Sequence, residues 1–422
     1  VIIPFMPLIC IAAILAGMLQ VHGRFGPASS GPVILNTLIT LVGVVCLVMG
    51  WQGGAGVAYA LCAATVLSGF TQVLWFRRLL RGHASWRRDW ESARPDARAM
   101  LKKFVPVALG LGTLQVNTLL DTFIAMWPIW VGPTVAGFVY PLDGASNIIL
   151  SQTTRLYQFP LGVFGIAVAT AVFPMLARLA PEREAFVETL RRGLRLSLFI
   201  GLPASAGLVL VRHDLTGVLF ARVGSSTAGF DADAVRRAAL VLLGFAPGVW
   251  AYSLNHVLTR GFYAQGDTRT PMRVAMGAVG FNLALNVVLI WWLREAGLAL
   301  ATSVSAMAQT LVLAALLRRR LGLERLLDAA TLRGMGRIAA CTMGMGVVVG
   351  AWVWATSGGI PNLAGWWSGW WGMLARLAGA TALGAGSFVA LSRLGQLPEL
   401  GMILGRRGRS TGAGIGGAAD GG

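Results

Sequence analysis

The stretch Tyr140-Pro-Leu-Asp-Gly-Ala-Ser-Asn-Ile-Ile-Leu-Ser-Gln-Thr-Thr-Arg-Leu-Tyr-Gln-Phe-Pro160 lies in a run, 135–177, that otherwise reads as membrane-embedded. Its one fixed cation is Arg155. A guanidinium cannot shed its proton in a protein, and at bilayer depth it costs roughly 2.5–3.5 kcal/mol by insertion scales unless a polar cavity or a partner receives it. At 100° per residue, Asp143, Asn147, Ser151, Thr154, Arg155 and Gln158 fall within about a third of one helix circumference. The spacing predicts a polar stripe facing a water-filled cavity, with an anionic cargo for the cation. The alternative is a helix contact stitched by hydrogen bonds. Asp143 and Arg155 cannot pair within one straight helix, because twelve residues span roughly 18 Å.

The rest of the chain agrees with a membrane setting. Its 422 residues are 56% hydrophobic and 12% charged, and the mean hydropathy of +0.69 excludes a soluble domain of this size. Continuous apolar runs, rather than short alternating ones, give an all-α polytopic membrane protein and exclude a β-barrel. Spans are predicted near 3–20, 33–50, 57–76, 104–127, 135–177, 196–211, 238–259, 274–293, 297–317, 338–356 and 373–392, which makes eleven elements. The run 135–177 is too long for one straight crossing, and Pro141, Pro160 and Pro174 offer places to bend or break it.

A net charge of +18 invites nucleic acid as a partner, but the basic residues sit on alternate loops. Arg77 to Lys103 share one connection, Arg178 to Arg195 another and Arg318 to Arg337 a third, while Trp51-Gln-Gly-Gly and Trp127-Pro-Ile-Trp-Val-Gly-Pro are nearly neutral. This is the positive-inside pattern. It excludes nucleic acid and places Val1 outside and the tail, with Arg406, Arg407 and Arg409, in the cytoplasm. The connection 212–237 is mixed in charge. Cys10, Cys46, Cys62 and Cys341 lie in apolar runs without metal or disulfide spacing. The chain opens on Val1 inside a hydrophobic run, which predicts a fragment whose earlier helices are missing.

Gly17-Met-Leu-Gln-Val-His-Gly-Arg-Phe-Gly-Pro27 and Gly261-Phe-Tyr-Ala-Gln-Gly-Asp-Thr-Arg-Thr-Pro271 share one Gly-to-Pro spacing, and each precedes a span with an asparagine, Asn36 or Asn282. Matching orientation implies a parallel repeat; two similar helix stops built from Gly and Pro are the alternative. On the repeat reading, 1–76 is the second half of an N-terminal lobe and 77–103 a basic cytoplasmic linker. Residues 104–317 form a complete six-helix lobe, 318–337 a second basic linker and 338–395 two extra helices. Residues 396–422 are expected to be a disordered cytoplasmic tail, whose glycine-rich end is too featureless to order itself.

A second polar cluster differs in kind. Asn117 and Asp121 are four apart on one span, Asn282 and Asn286 four apart on another, and Thr302 opens the next. One carboxylate with amide and hydroxyl oxygens suits Na⁺ better than Ca²⁺, although interhelical amide hydrogen bonding uses the same residues. Of the weaker signals, His256 reads as a satisfied core histidine, Gly346-x-x-x-Gly350 as close helix packing and Trp366 to Trp371 as an interfacial belt. Glu182 to Arg195 reads as a solvated, partly helical connection. No nucleotide, zinc-protease or nucleophile-elbow motif occurs, which argues against ATP hydrolysis and covalent chemistry.

At Leu119-Leu-Asp-Thr-Phe-Ile-Ala125, at Arg155-Leu-Tyr-Gln-Phe-Pro-Leu-Gly-Val-Phe-Gly-Ile-Ala-Val-Ala-Thr170 and at Gly261 to Pro271, the sequence resembles the MurJ (MviN) lipid II flippases of the multidrug/oligosaccharidyl-lipid/polysaccharide (MOP) exporter superfamily. The likeness extends to about residue 395 and looks like the family's fourth through fourteenth helices. It implies two six-helix lobes around a central cavity, with two C-terminal helices forming a groove for the polyprenyl tail. It implies too that Arg155 meets the pyrophosphate of lipid II, and that Asp121, Asn282, Asn286 and Thr302 match a sodium site. The expected protein is a monomeric, non-enzymatic flippase of the bacterial cytoplasmic membrane, alternating access between leaflets and touching lipid II and membrane lipids. Asn147, Ser151, Thr154, Gln158 and Asp143 would line its substrate site.

The chain departs from the family pattern where Thr154 and Gln158 replace acidic residues beside the arginine. The family's first three helices, with their own arginines, lie outside the sequence, so this chain alone is expected not to flip lipid. Rival readings are a related exporter of drugs or polysaccharide-linked lipid, a membrane-embedded glycosyl- or phosphotransferase, and a degenerate, non-transporting relative acting as a scaffold.

Overall fold

A computed structural model describes residues 3–22, 24–51, 54–82, 90–135, 137–221, 229–324, 326–359 and 369–403. The chain forms two compact units, Val1–Ala97 and Arg98–Gly422. The Trp366 and Trp367 part of the predicted belt and the glycine-rich tail lie outside the described residues.

The first unit contains α1 (Phe5–Val21), the single turn α2 (Phe25–Ala28), α3 (Gly31–Val48) and α4 (Ala55–Leu79). Helix α4 packs against both α1 and α3. Its inner face buries Phe76 and Leu80 against Ala12, Leu15 and Leu19. Gly69 allows the close approach, since a Cβ there would stand 3.0–3.2 Å from Leu8 and Phe5. Large apolar side chains such as Ile14, Leu47 and Leu74 point outward. That is stable only where the surrounding solvent is hydrocarbon.

The second unit begins within α5 (Trp90–Trp130). A two-residue hairpin follows, β1 (Thr134–Val135) pairing antiparallel with β2 (Phe138–Val139). Then come α6 (Ser146–Pro160), a π-helical turn at Leu161–Gly165, α7 (Ile166–Arg178), α8 (Arg183–Phe220), α9 (Ala232–Phe245), a 3₁₀ turn at Ala246–Gly248, α10 (Val249–Ala264), α11 (Arg269–Leu293) and α12 (Glu295–Arg320). Helix α13 (Ala329–Trp354), a π-helical turn at Ala355–Gly359, α14 (Gly369–Leu394) and α15 (Pro398–Ile403) close it. Nine described helices or helix pairs are long and apolar enough to cross a membrane, and the 17-residue α1 is apolar but shorter. The protein is a multi-pass membrane protein.

The pair α9–α10 is the interior of this unit: 72% of its most apolar window is buried, against 11–44% for the other spans. It bends at Pro247, which lacks the N–H that a continuous helix needs there. The Ser303 hydroxyl of α12 donates toward the carbonyls of Gly244 at 2.6 Å and Phe245 at 3.0 Å, covering acceptors at the bend. Gly244 is required for that approach, because a Cβ would lie 2.8 Å from the Ala296 carbonyl and the Ala299 Cβ.

Four predicted segments differ from what formed. The run 135–177 bends first at the hairpin, before α6 starts; at Pro160 it passes without a break into a π turn, and Pro174 sits inside α7. Glu182 to Arg195 is the start of a 38-residue helix rather than a solvated connection. Its apolar positions, Phe186, Val187, Leu190 and Leu194, are core residues shared with α10 and α12. Helix α5 likewise extends back to Trp90, into the expected basic linker, and α15 forms within the expected disordered tail, where Leu400 is buried and Glu399 pairs with Arg195 at 2.7 Å.

Candidate functional site

Helix α6 presents its polar stripe to a chamber of about 470 Å³ in the second unit. Asn147, Ser151, Thr154, Arg155 and Gln158 line one wall, and α5, α10, α11 and α12 supply the others. Thr154 and Ser151 return their hydroxyl protons to their own helix, at Leu150 O (2.7 Å) and Ile148 O (3.1 Å). Arg155 is exposed, and it has neither an ion pair nor a hydrogen bond among the described residues. Two positions on, Tyr157 turns inward and stacks on Phe245 at 4.4 Å, fixing how α6 leans on the α9–α10 spine.

Asp143, predicted on the same stripe, does not line the chamber. It precedes the helix and accepts from the backbone N–H groups of Ala145 and Ser146 at 3.0 and 3.1 Å, closing the first turn of α6. Both its oxygens accept from Arg237 of α9, at 2.8 and 2.9 Å, and Arg294 adds a 3.3 Å contact. Arg237 also donates to Glu295, which is 3% exposed and accepts at 2.6 Å from the Ser146 hydroxyl. The Arg237 guanidinium therefore holds the Asp143 carboxyl at about 2, below the usual carboxylate range, against the opposing pull of partial burial. Arg294 supports the turn between α11 and α12 with a left-handed φ of 53°, a strained value for a side chain of its size, and donates to Pro141 O at 2.9 Å.

The second predicted cluster comes together between α5, α11 and α12. Asn286 Nδ2 donates to Asp121 Oδ1 at 2.6 Å and to Asn282 Oδ1 at 3.0 Å, and Asn282 Nδ2 donates to Thr302 Oγ1 at 3.3 Å. Asn117 Nδ2 stands 3.5 Å from the other Asp121 oxygen. Asp121, Asn282, Asn286 and Thr302 are all buried. Every amide here spends its N–H on an oxygen, and the Oδ1 atoms of Asn286 and Asn117 are left buried without a partner. Buried acceptors rarely stay unpaired. A lone carboxylate beside orphan amide oxygens fits a small hard monovalent cation. Among the described residues no three His, Cys, Asp or Glu side chains gather as a transition-metal site.

Other lining groups were not singled out from sequence. Phe245 and Tyr252 of the α9–α10 pair and Gln309 of α12 belong to apolar or mixed spans and also line the chamber. Asn255 is tied to α12 by donating to Ala306 O at 3.2 Å and accepting from Thr310 at 2.9 Å. His256, expected as a satisfied core histidine, lines the chamber and has no hydrogen bond among the described residues. The four cysteines are free, and Cys46 and Cys341 are buried.

A family model described as lipid II flippase MurJ matches residues 1–360. A probable lipid II flippase MurJ of Vibrio cholerae serotype O1 is 30% identical over 394 residues, covering 92% of this chain and 69% of that protein. One from Rhizobium meliloti is 30% identical over 325 residues, 75% of this chain and 56% of that protein. The chain spans 56% of the length of several such curated relatives. A solved lipid II flippase MurJ in an inward closed conformation shares the fold, with a TM-score of 0.66 at 19% identity over 96% of this chain and 73% of that one.

Proposed function

The chain belongs to the lipid II flippase MurJ family, and from that premise we propose that it serves the movement of lipid II from the cytoplasmic to the outer leaflet of the bacterial cytoplasmic membrane. The observation that carries the proposal is the unpaired Arg155 on the chamber wall. A guanidinium without a carboxylate partner has all its donors free for a diphosphate, and charge-assisted hydrogen bonds replace the phosphate's hydration. Asn147 and Gln158, uncharged and on the same face, offer amides to the neutral parts of the head group. No covalent chemistry is needed; access to the chamber alternates between the two leaflets.

Asp121, Asn286, Asn282, Thr302 and Asn117 would hold Na⁺, which supplies one positive charge when bound. The basic loops support a cytoplasmic C-terminus, and we take the protein to act as a monomer, with residues 104–317 as one lobe and 338–395 as an addition to it.

A growth experiment tests the proposal. In a bacterium depleted of its own lipid II flippase, the full-length gene that includes this sequence is expected to restore growth and its Arg155→Ala form is not. Equal rescue by both, at matched membrane levels, would remove Arg155 from the mechanism.

A further inference from the structure

The side of the chamber that α10 supplies carries no Asp, Glu, Lys or Arg. Tyr252, His256, Thr259 and Tyr263 line it at spacings of four, three and four, so they share one helix face in a row roughly 16 Å long by helix rise. The row makes no side-chain hydrogen bond among the described residues, and its phenol, imidazole and hydroxyl groups are not among the buried polar atoms left unpaired. They open to the chamber instead. The rings are braced from behind. Tyr252 leans on Tyr157 at 6.3 Å between centroids, and the Arg260 guanidinium lies 5.9 Å from the centre of the Tyr263 ring. Arg260 is shared with the Phe173 ring at 5.3 Å and does not line the chamber.

We propose that this row is a saccharide subsite, taking the N-acetylated pyranose that follows the diphosphate in a lipid-linked precursor. This rests on the reading that Arg155 takes the diphosphate. Tyr252 and Tyr263 offer faces on which the C–H side of a pyranose packs, and their hydroxyls, with His256 and Thr259, meet its hydroxyl and acetamido groups. A pocket of this kind, aromatic with a few convergent polar groups, orients a neutral ligand. A charged peptide would ask for counter-charges that α10 does not place there. The two walls then divide the work. Arg155 gives affinity for any lipid diphosphate, and α10 tells a glycosylated one from the bare carrier, because specificity is a difference between two affinities.

Two probes bound to the purified full chain in detergent measure the subsite: farnesyl diphosphate, and farnesyl diphosphate carrying N-acetylglucosamine on its outer phosphate. The readout is the ratio of their affinities. The native chain is expected to favour the glycosylated probe by about 5-fold or more, and Tyr252→Ala and Tyr263→Ala each to lower that ratio by about 2- to 12-fold, the worth of one stacked ring. Tyr263→Phe, which keeps the ring, is expected to retain most of it. Tyr263→Ala keeps the test decisive if Tyr252→Ala, which loses its packing on Tyr157, does not fold. A native ratio near one, or a ratio that Tyr263→Ala leaves unchanged, overturns the subsite while the role of Arg155 stands. Arg155→Gln is expected to weaken both probes together; undiminished binding of farnesyl diphosphate by that variant overturns the reading on which the subsite rests.

Discussion

Arg155 and Arg237 both serve α6, and their surroundings are opposite. Arg237 meets the start of the helix with its side chain only 12% exposed, grips both oxygens of Asp143 and reaches the buried Glu295. Arg155, less than three turns further along, faces the chamber with no ion-pair partner among the described residues. A buried pair largely returns the cost of its own desolvation, and what it gains is geometry: α6, α9 and the turn between α11 and α12 are pinned at one point. An unpaired guanidinium at membrane depth returns nothing until a ligand arrives. The difference separates the arginine that shapes the site from the one that uses it.

Truncating each arginine should break the comparison in opposite directions. Arg237→Ala leaves Glu295 buried and uncompensated, so a loss of about 3–5 kcal/mol is expected, read as a large fall in Tm in detergent. An unchanged Tm would show the network to be ornamental. Arg155→Ala should leave Tm almost where it was and instead weaken diphosphate binding by about 1.5–3 kcal/mol, the worth of hydrogen bonds to a charged group. A fall in Tm as large as that of Arg237→Ala would mean that Arg155 is a structural residue as well.

How far the sequence could be read follows the same division. The apolar runs and the alternating basic loops located the spans, because a bilayer imposes length and polarity on each helix separately. The stripe around Arg155 and the i, i+4 pairs of Asn117 with Asp121 and Asn282 with Asn286 were legible for the same reason: one helix carries the whole pattern. Asp143 was misplaced onto the stripe because periodicity continues through a helix start without marking it, and the hairpin before α6 shifts that residue off the helix. Its partners, Arg237 and Glu295, are 94 and 58 residues apart from Asp143 and from Arg237 respectively. Tertiary pairing over such distances has no signature in a single sequence. The burial of Phe186 and Leu190 was hidden by the charges around them, which lie on the other faces of α8.

The comparison can be sharpened through pH. Asp143 has a native carboxyl pKa of about 2, below its unfolded value of 3.8. It therefore contributes stability that is fully present above about pH 4 and is lost as pH falls through 2. Because its side chain is 45% exposed, solvent screening keeps this contribution at about 1 kcal/mol or less. Arg237→Ala should abolish that acid-limb slope, and Arg155→Ala should leave it intact.

The smallest effect belongs to Arg192 and Glu188, four apart on α8 and both more than half exposed. Their ion pair has no desolvated partner to strand and competes with water and salt at every moment. Arg192→Ala is expected to change stability by only about 0.3–0.5 kcal/mol, vanishing in molar salt. A larger loss that survives high salt would show that exposure is the wrong guide to what an arginine does in this protein. The contrast between Arg155 and Arg237 would then need another cause than the partners each one has.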